Sequence, residues 1–114
     1  MEPCIPTTTV AADASLVVAP TVVRSGVFSA VLTAEDKGLP KQKITFSVEE
    51  ALVGDPVLGS VMTDARGRAR FDLKGKPLRL HKTVMQDVYI AAYAGDGRYC
   101  PSSDTAALDI ARVE

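Results

Sequence analysis

Several features are scarce or missing in this 114-residue sequence, and each absence excludes a class of protein. There is no tryptophan and only one histidine, His81, which has no serine or cysteine near it in the context of a catalytic nucleophile. The glycines lack the spacing that cradles a phosphate group. No apolar run approaches the roughly 20 residues of a membrane-spanning helix. The sequence therefore predicts a protein that is not an enzyme and does not insert into a membrane.

The overall composition is that of one ordinary globular domain. Hydrophobic residues make up 46% of the chain, charged residues 24%, and the formal net charge is −1. These values exclude a disordered chain and give no bulk charge for wrapping nucleic acid. We expect a single domain over residues 1–114, monomeric in isolation, in which residues 1–6 are an N-terminal extension. The opening residues lack the basic and apolar parts of a signal peptide, so we expect an export signal to lie outside this piece.

Two-residue alternation of apolar and polar side chains recurs along the chain, and no stretch keeps helical spacing for a dozen residues. The chain is therefore predicted to be all-β. The expected strands are a broken first strand at 7–12 and 15–19, then 27–34, 43–49, 57–63, 67–73, 88–94 and 106–111. The sequence DARG at 64–67 predicts a hairpin between the fourth and fifth strands. Seven short strands favour an immunoglobulin-like β-sandwich of about seven antiparallel strands.

Four segments, in this order, resemble a known family. They are TTTV at 7–10 with GVFSAVLTA at 26–34, GLP at 38–40 with ITF at 44–46, TDARGRA at 63–69, and YAGDGRY at 93–99 with PSS at 101–103. Together they resemble the bacterial immunoglobulin-like domains of invasin- and intimin-like adhesins and of large repeat-containing surface proteins. Antibody-type domains match less well, because tryptophan is absent and neither the second nor the sixth strand carries a cysteine.

The resemblance implies a non-catalytic extracellular or cell-surface module that acts as a structural spacer or an adhesion domain. Its expected partners are neighbouring domains of the same chain and a host protein or glycan. Two other hypotheses stay open. In the first, the domain is a carbohydrate- or polyanion-binding accessory domain of a secreted enzyme. In the second, it is a linker whose loops stiffen when calcium binds. No other cofactor is expected.

The two cysteines, Cys4 and Cys100, lie near opposite ends of the sequence. In a seven-strand sandwich, the first strand starts at the end where the sixth strand turns into the seventh, so the two thiols are expected to meet. A disulfide there implies an oxidising compartment. The alternative is a pair of free, partly buried thiols. Two cysteines and one histidine so far apart do not predict a metal site.

Three aspartates, Asp36, Asp64 and Asp96, occupy loops that open at that same end of the predicted sandwich. Calcium prefers six to eight oxygen ligands, and carboxylate-bearing loops supply them. No single loop carries a dense ligand pattern, so the main interpretation is that each aspartate caps its own turn. Calcium binding stays the alternative.

A basic segment covers residues 66–82 and contains a single acid, Asp72. Its basic residues are Arg66, Arg68, Arg70, Lys74, Lys76, Arg79 and Lys82. Such a segment predicts either a docking patch for an anionic ligand or a solvated strand that keeps a sheet edge from pairing with other sheets.

Overall fold

The computed structural model describes residues 3–19, 22–48, 57–75 and 86–112. The described residues contain nine strands and no helix, which confirms the all-β prediction. The strands are β1 (Thr8–Ala11), β2 (Ala14–Val18), β3 (Val23–Ala34), β4 (Lys37–Gly38), β5 (Lys43–Val48), β6 (Val57–Met62), β7 (Arg68–Asp72), β8 (Gln86–Tyr93) and β9 (Ser102–Arg112).

The predicted strands are found, but two of them begin four residues earlier than the apolar pattern indicates. β3 starts at Val23 rather than at residue 27, and β9 starts at Ser102 rather than at residue 106. These added residues are mostly polar, so alternation does not reveal them. Backbone pairing extends the strands, because Ser25 pairs with Val17 and Ser102 pairs with Tyr93. Backbone hydrogen bonding sets the length of these two strands, and every residue type except proline can take part in it as both donor and acceptor. The residue types therefore do not reveal where the strands begin.

The strands form one mixed sheet in the order β1-β3-β2-β9-β8-β5-β6, and β4 and β7 also pair with β3. The expectation that all strands are antiparallel is wrong at one pair, since β2 runs parallel to β9 from Ala14 opposite Leu108 to Val18 opposite Arg112. The first strand breaks after Ala11, as predicted, and its second part covers the edge of β9 not occupied by β8. This pairing satisfies the backbone groups along that edge.

The sheet folds over on itself around an aromatic core. Three strands separate β3 from β5 in the sheet order, so a flat sheet would hold these two strands about 19 Å apart. The ring centroids of Phe28 on β3 and Phe46 on β5 are instead 6.0 Å apart, and Phe46 also stacks on Phe71 of β7 at 5.9 Å. The apolar face is therefore enclosed between the two halves of the sheet.

Tyr89 lies at the centre of this core. Its side chain is fully buried, and its ring centroid is 4.6 Å from that of Phe28. The hydroxyl group points to the backbone carbonyls of Ala12 and Ser29, the latter at 3.0 Å. Burial raises the pKa of this phenol above its ordinary value. The single hydroxyl therefore links β8 to β3 and to the break between β1 and β2.

The hairpin predicted between the fourth and fifth strands is wrong, although its turn forms. The N–H of Gly67 donates to the carbonyl of Asp64 at 3.0 Å, yet β6 pairs with β5 while β7 pairs with β3. Thr63 explains the crossing, because its buried hydroxyl donates to the carbonyl of Leu39 at 2.6 Å and accepts from the N–H of Gln42 at 3.0 Å. These bonds hold the chain against the 39–42 loop and direct it across to β3.

Two turns approach each other so closely that only glycine fits at the contact. Gly67 has φ of 79°, and an added Cβ would lie 2.3 Å from the carbonyl oxygen of Leu32. A Cβ on Gly38 would lie 2.0 Å from the carbonyl oxygen of Arg66. The glycines of the GLP and TDARG segments therefore have a packing role.

Gly67→Ala is expected to destabilise the protein well beyond the effect of backbone strain alone. Gly75→Ala is the matched control, because Gly75 has a similar φ of 85° but no atom within 4 Å of an added Cβ. The control should cost about 1 kcal/mol from its left-handed backbone, and Gly67→Ala about 2 kcal/mol or more. Urea unfolding of both variants measures the difference. Equal losses would contradict the close approach of the two turns.

Candidate functional site

The two cysteines form a disulfide at one end of the sheet, which confirms the predicted pairing. The Cα atoms of Cys4 and Cys100 are 5.1 Å apart, within the usual range for a disulfide. Backbone bonds on both sides position the pair: the N–H of Ile5 donates to the carbonyl of Arg98 at 2.9 Å, and the N–H of Cys100 donates to the carbonyl of Ile5 at 2.8 Å. Ile5, within the predicted N-terminal extension, thus pairs with the core and packs against it.

This disulfide closes nearly the whole chain into a loop. Its two residues are 96 positions apart, and the chain-entropy model gives a loop of about that length roughly 4–5 kcal/mol of stabilisation. Disulfides persist in oxidising compartments and are rare in the cytosol. The bond therefore indicates an oxidising environment for this protein.

Residues 4–6, 35–42, 63–67 and 94–101 lie together, and we call this end of the sheet the loop pole. The N–H of Lys41 donates to the carbonyl of Thr63 at 3.1 Å. The hydroxyl of Tyr93, at the end of β8, donates to the side-chain oxygen of Gln42 at 2.9 Å. The cysteine pair and the loops of all three candidate aspartates therefore belong to one end, as the sequence predicted.

Asp64 holds its own turn closed. One carboxylate oxygen accepts from the N–H of Arg66 at 2.8 Å and from the N–H of Arg68 at 3.0 Å. The backbone bond from Arg68, followed by that from Arg66, holds the pKa of Asp64 below its ordinary value. Its other oxygen lies 3.7 Å from Nε of Arg68, an exposed ion pair of the kind that contributes little stability.

Asp96 likewise holds its own turn closed, in the connection between β8 and β9. One oxygen accepts from the N–H groups of Arg98 and Tyr99, each at 2.7 Å. The bond from Tyr99, followed by that from Arg98, holds the pKa of Asp96 below its ordinary value. Both aspartates therefore cap turns, which is the main interpretation given to them from the sequence.

Asp36 lies in the turn between β3 and β4 with φ of 63° and is exposed. Among the described residues, no group of three histidine, cysteine, aspartate or glutamate side chains is placed to hold a metal ion. Asp64 and Asp96 already use one oxygen each on their own backbone. Calcium binding at these loops stays a prediction.

The described part of the basic segment presents its charges to solvent. Arg66, Arg68, Arg70 and Lys74 are all exposed, while Ala69 between two of the arginines is buried in the core. The alternation predicted for this strand is thus confirmed. Lys76, His81 and the other two basic residues predicted for the ligand patch, Arg79 and Lys82, lie outside the described residues.

A groove of about 500 Å³ runs over the outer face of β1, β3 and β7. Strand register builds it, because Val31 of β3 stands opposite Val10 of β1 on one side and Arg68 of β7 on the other. In the next outward row, Ser29 stands opposite Arg70. Short side chains on β3 form the floor, and the groove has a basic wall on β7 and an apolar wall on β1. We call it the β1–β3–β7 groove.

The sequence predicted the arginines of this groove but not the rest of it. Val10, Ser29 and Val31 belong to strands far from β7 in the chain, and alternation says which face a side chain takes but not which strand is its neighbour. A second, smaller depression of about 350 Å³ lies on the other half of the sheet, next to Lys41, Lys43, Met62 and Tyr93. It provides matched positions for control substitutions.

No protein-family model matches this chain, and comparisons with curated proteins and with solved structures found no match. Within the described ranges there is no helix long and apolar enough to cross a membrane.

Asp96→Asn is expected to lower the melting temperature at neutral pH and to bring it closer to that of the parent as the pH falls. The pKa of Asp96 is depressed by folding, so its stabilisation is complete above the ordinary value of 3.8 and is lost as the pH falls through the folded value. Thermal unfolding between pH 7 and pH 2.5 measures this. Arg98→Gln, which keeps the backbone N–H, is the control and should retain the parent's dependence. A constant difference between Asp96→Asn and the parent at all pH values would refute the assignment.

Proposed function

We propose that this chain is a non-catalytic immunoglobulin-like β-sandwich module that acts outside the cell as a structural spacer or adhesion domain. The strand pairing supports the sandwich. We count β1 and β2 as one broken strand and omit the two-residue β4, which leaves seven strands. The broken first strand pairs with β3, and β3 pairs with β7, so the first, second and fifth strands form one group. In the other group β8 pairs with both β5 and β9, which are the third, sixth and seventh strands. Immunoglobulin domains have this division. β6 departs from the constant-type pattern, because it pairs with β5 rather than β7.

The aromatic contacts support two facing layers. Phe28 belongs to the first group of strands and Phe46 to the second, and their rings stack with Tyr89 between the layers. The four family-like segments supply folding elements of this arrangement, including the Thr63 anchor and the Asp96 turn. The disulfide supports a location outside the cell.

The observation that carries the spacer function is the path that tension would take through the chain. Cys4 joins Cys100, which leads directly into β9, and β9 ends at Arg112. The eleven residues of β9 span about 34 Å, so force would enter at the loop pole and leave at the opposite end. Residues 5–99 form a closed loop outside this path. A domain linked in series would therefore keep its length under load.

Single-molecule stretching of the full chain between marker domains tests the spacer function. With the disulfide intact, the chain should show no long unfolding step. Reduction should release the loop and add about 340 Å, since the two cysteines are 96 positions apart and each position contributes about 3.5 Å of extended chain. The double variant C4S/C100S should show the long step without reductant and should not respond to it. A long step from the oxidised chain would contradict the proposed path of tension.

A second candidate function is that of a carbohydrate- or polyanion-binding accessory domain, and the β1–β3–β7 groove favours it. Arg68 and Arg70 project from one wall of a recess, whereas an arginine on a plain sheet face has only solvent around it. An anion in the groove would face two guanidinium groups, which bind carboxylate, sulfate or phosphate through paired donors.

Retention on a heparin column tests this second candidate. The parent is expected to bind at low salt, and R68Q/R70Q should elute at a clearly lower salt concentration because exposed charge interactions are screened. K41Q/K43Q removes the same charge from the other depression and should elute close to the parent. If the parent is not retained at low salt, or if both variants lose retention equally, the groove is not an anion site.

A further inference from the structure

We infer that the β1–β3–β7 groove binds an extended peptide in which acidic and aliphatic residues alternate. The inference rests on the second candidate function, anion binding in the same groove, and it names the class of partner. Two features of the groove carry it: the spacing of its arginines and the difference between its walls.

The arginine spacing matches that of an extended peptide. Arg68 and Arg70 are two residues apart on one strand and share the outer face, which places their Cα atoms about 7 Å apart. Acidic residues at alternate positions of an extended peptide have the same spacing and project to the same side. Each guanidinium group then faces one carboxylate in a paired geometry.

The apolar wall on β1 selects the side chains that the peptide directs away from the arginines. The wall opposite the arginines carries Val10, which is 56% exposed, and Ala12, two residues further along the chain on the same face. β1 and β7 flank β3, so the two walls are about 10 Å apart, which is room for one extended chain. A peptide lying along β3 would direct acidic side chains to β7 and aliphatic ones to β1. A sulfated glycan is charged along its length and has no apolar side chains for the Val10 wall.

The charges at the groove permit this binding. Asp64 lies at one end and pairs with Arg68 at 3.7 Å, but both side chains are more than half exposed, so a ligand carboxylate can replace that pair at small cost. Arg70 makes no ion pair within the described residues and faces Ser29 on the floor. Arg70 is therefore the residue on which binding should depend most.

The experiment uses the full oxidised chain and a blocked eight-residue peptide of alternating glutamate and valine, with binding measured by fluorescence anisotropy. Arg70→Gln should weaken binding about tenfold or more, since a hydrogen bond to a charged group contributes about 1.5–3 kcal/mol. Val10→Thr should weaken it less, by a few-fold, through loss of the apolar contact. Lys43→Gln, which removes one charge from the outer face of β5, should bind like the parent. Melting temperatures verify that each variant is folded.

An isomeric peptide with the four glutamates in one block and the four valines in another should bind at least fivefold more weakly. Equal binding of the two peptides would overturn the inference, because charge alone would then explain it. If heparin is retained through Arg70 but neither peptide binds, the groove is an anion site for another ligand class and the peptide inference is wrong. If neither heparin nor peptide binds, both the inference and the second candidate function fall, while the spacer function is decided separately by the stretching experiment.

Discussion

The rest of the structure depends on the buried hydroxyl of Tyr89, which provides a hydrogen-bond partner where the first strand breaks. The first strand breaks between β1 and β2, which both pair with β3 while β2 also pairs with β9, and the backbone groups at that break still need hydrogen bonds. The carbonyls of Ala12, at the break, and Ser29, on β3, both face this hydroxyl. The same side chain places its ring against Phe28 and Phe46, where the two halves of the sheet meet. Core packing and the break in the first strand are therefore coupled through one residue.

At the loop pole, the connections between strands have no regular strand pairing and are held by other interactions. Asp64 and Asp96 each satisfy two backbone N–H groups of their own turn, and Thr63 joins its turn to the 39–42 loop. The disulfide then fixes the N-terminal segment to the connection between β8 and β9. Local capping and one covalent bond thus order the end at which the proposed path of tension begins. The β1–β3–β7 groove lies on the outer face of these three strands and meets the loop pole at Asp64.

Much of the fold could be predicted from particular residues. The strands predicted at 43–49 and 67–73 from two-residue alternation are found with Phe46 and Ala69 in the core, and the break predicted between 7–12 and 15–19 is also found. The meeting of Cys4 and Cys100 followed from the order of strands in a sandwich. The hairpin at 64–67 was wrongly predicted because a turn motif specifies its own four residues but not the strands that the flanking segments pair with. The parallel pairing of β2 with β9 was missed for the same reason, since both strands have the same alternation in either orientation.

By itself, the sequence determined the strand class, the inward and outward faces and the turns closed by aspartate and glycine, because these depend on contacts between residues close together in the chain. Only the tertiary structure decided which strands became neighbours. That choice placed Val10, Val31 and Arg68 in one row across three strands, although β1 and β7 are far apart in the sequence, and so turned a run of charges into a groove with two unlike walls. The physical reason is that a side chain's face follows from a period of two residues, whereas its neighbour across the sheet follows from long-range hydrogen bonding and from packing around Tyr89.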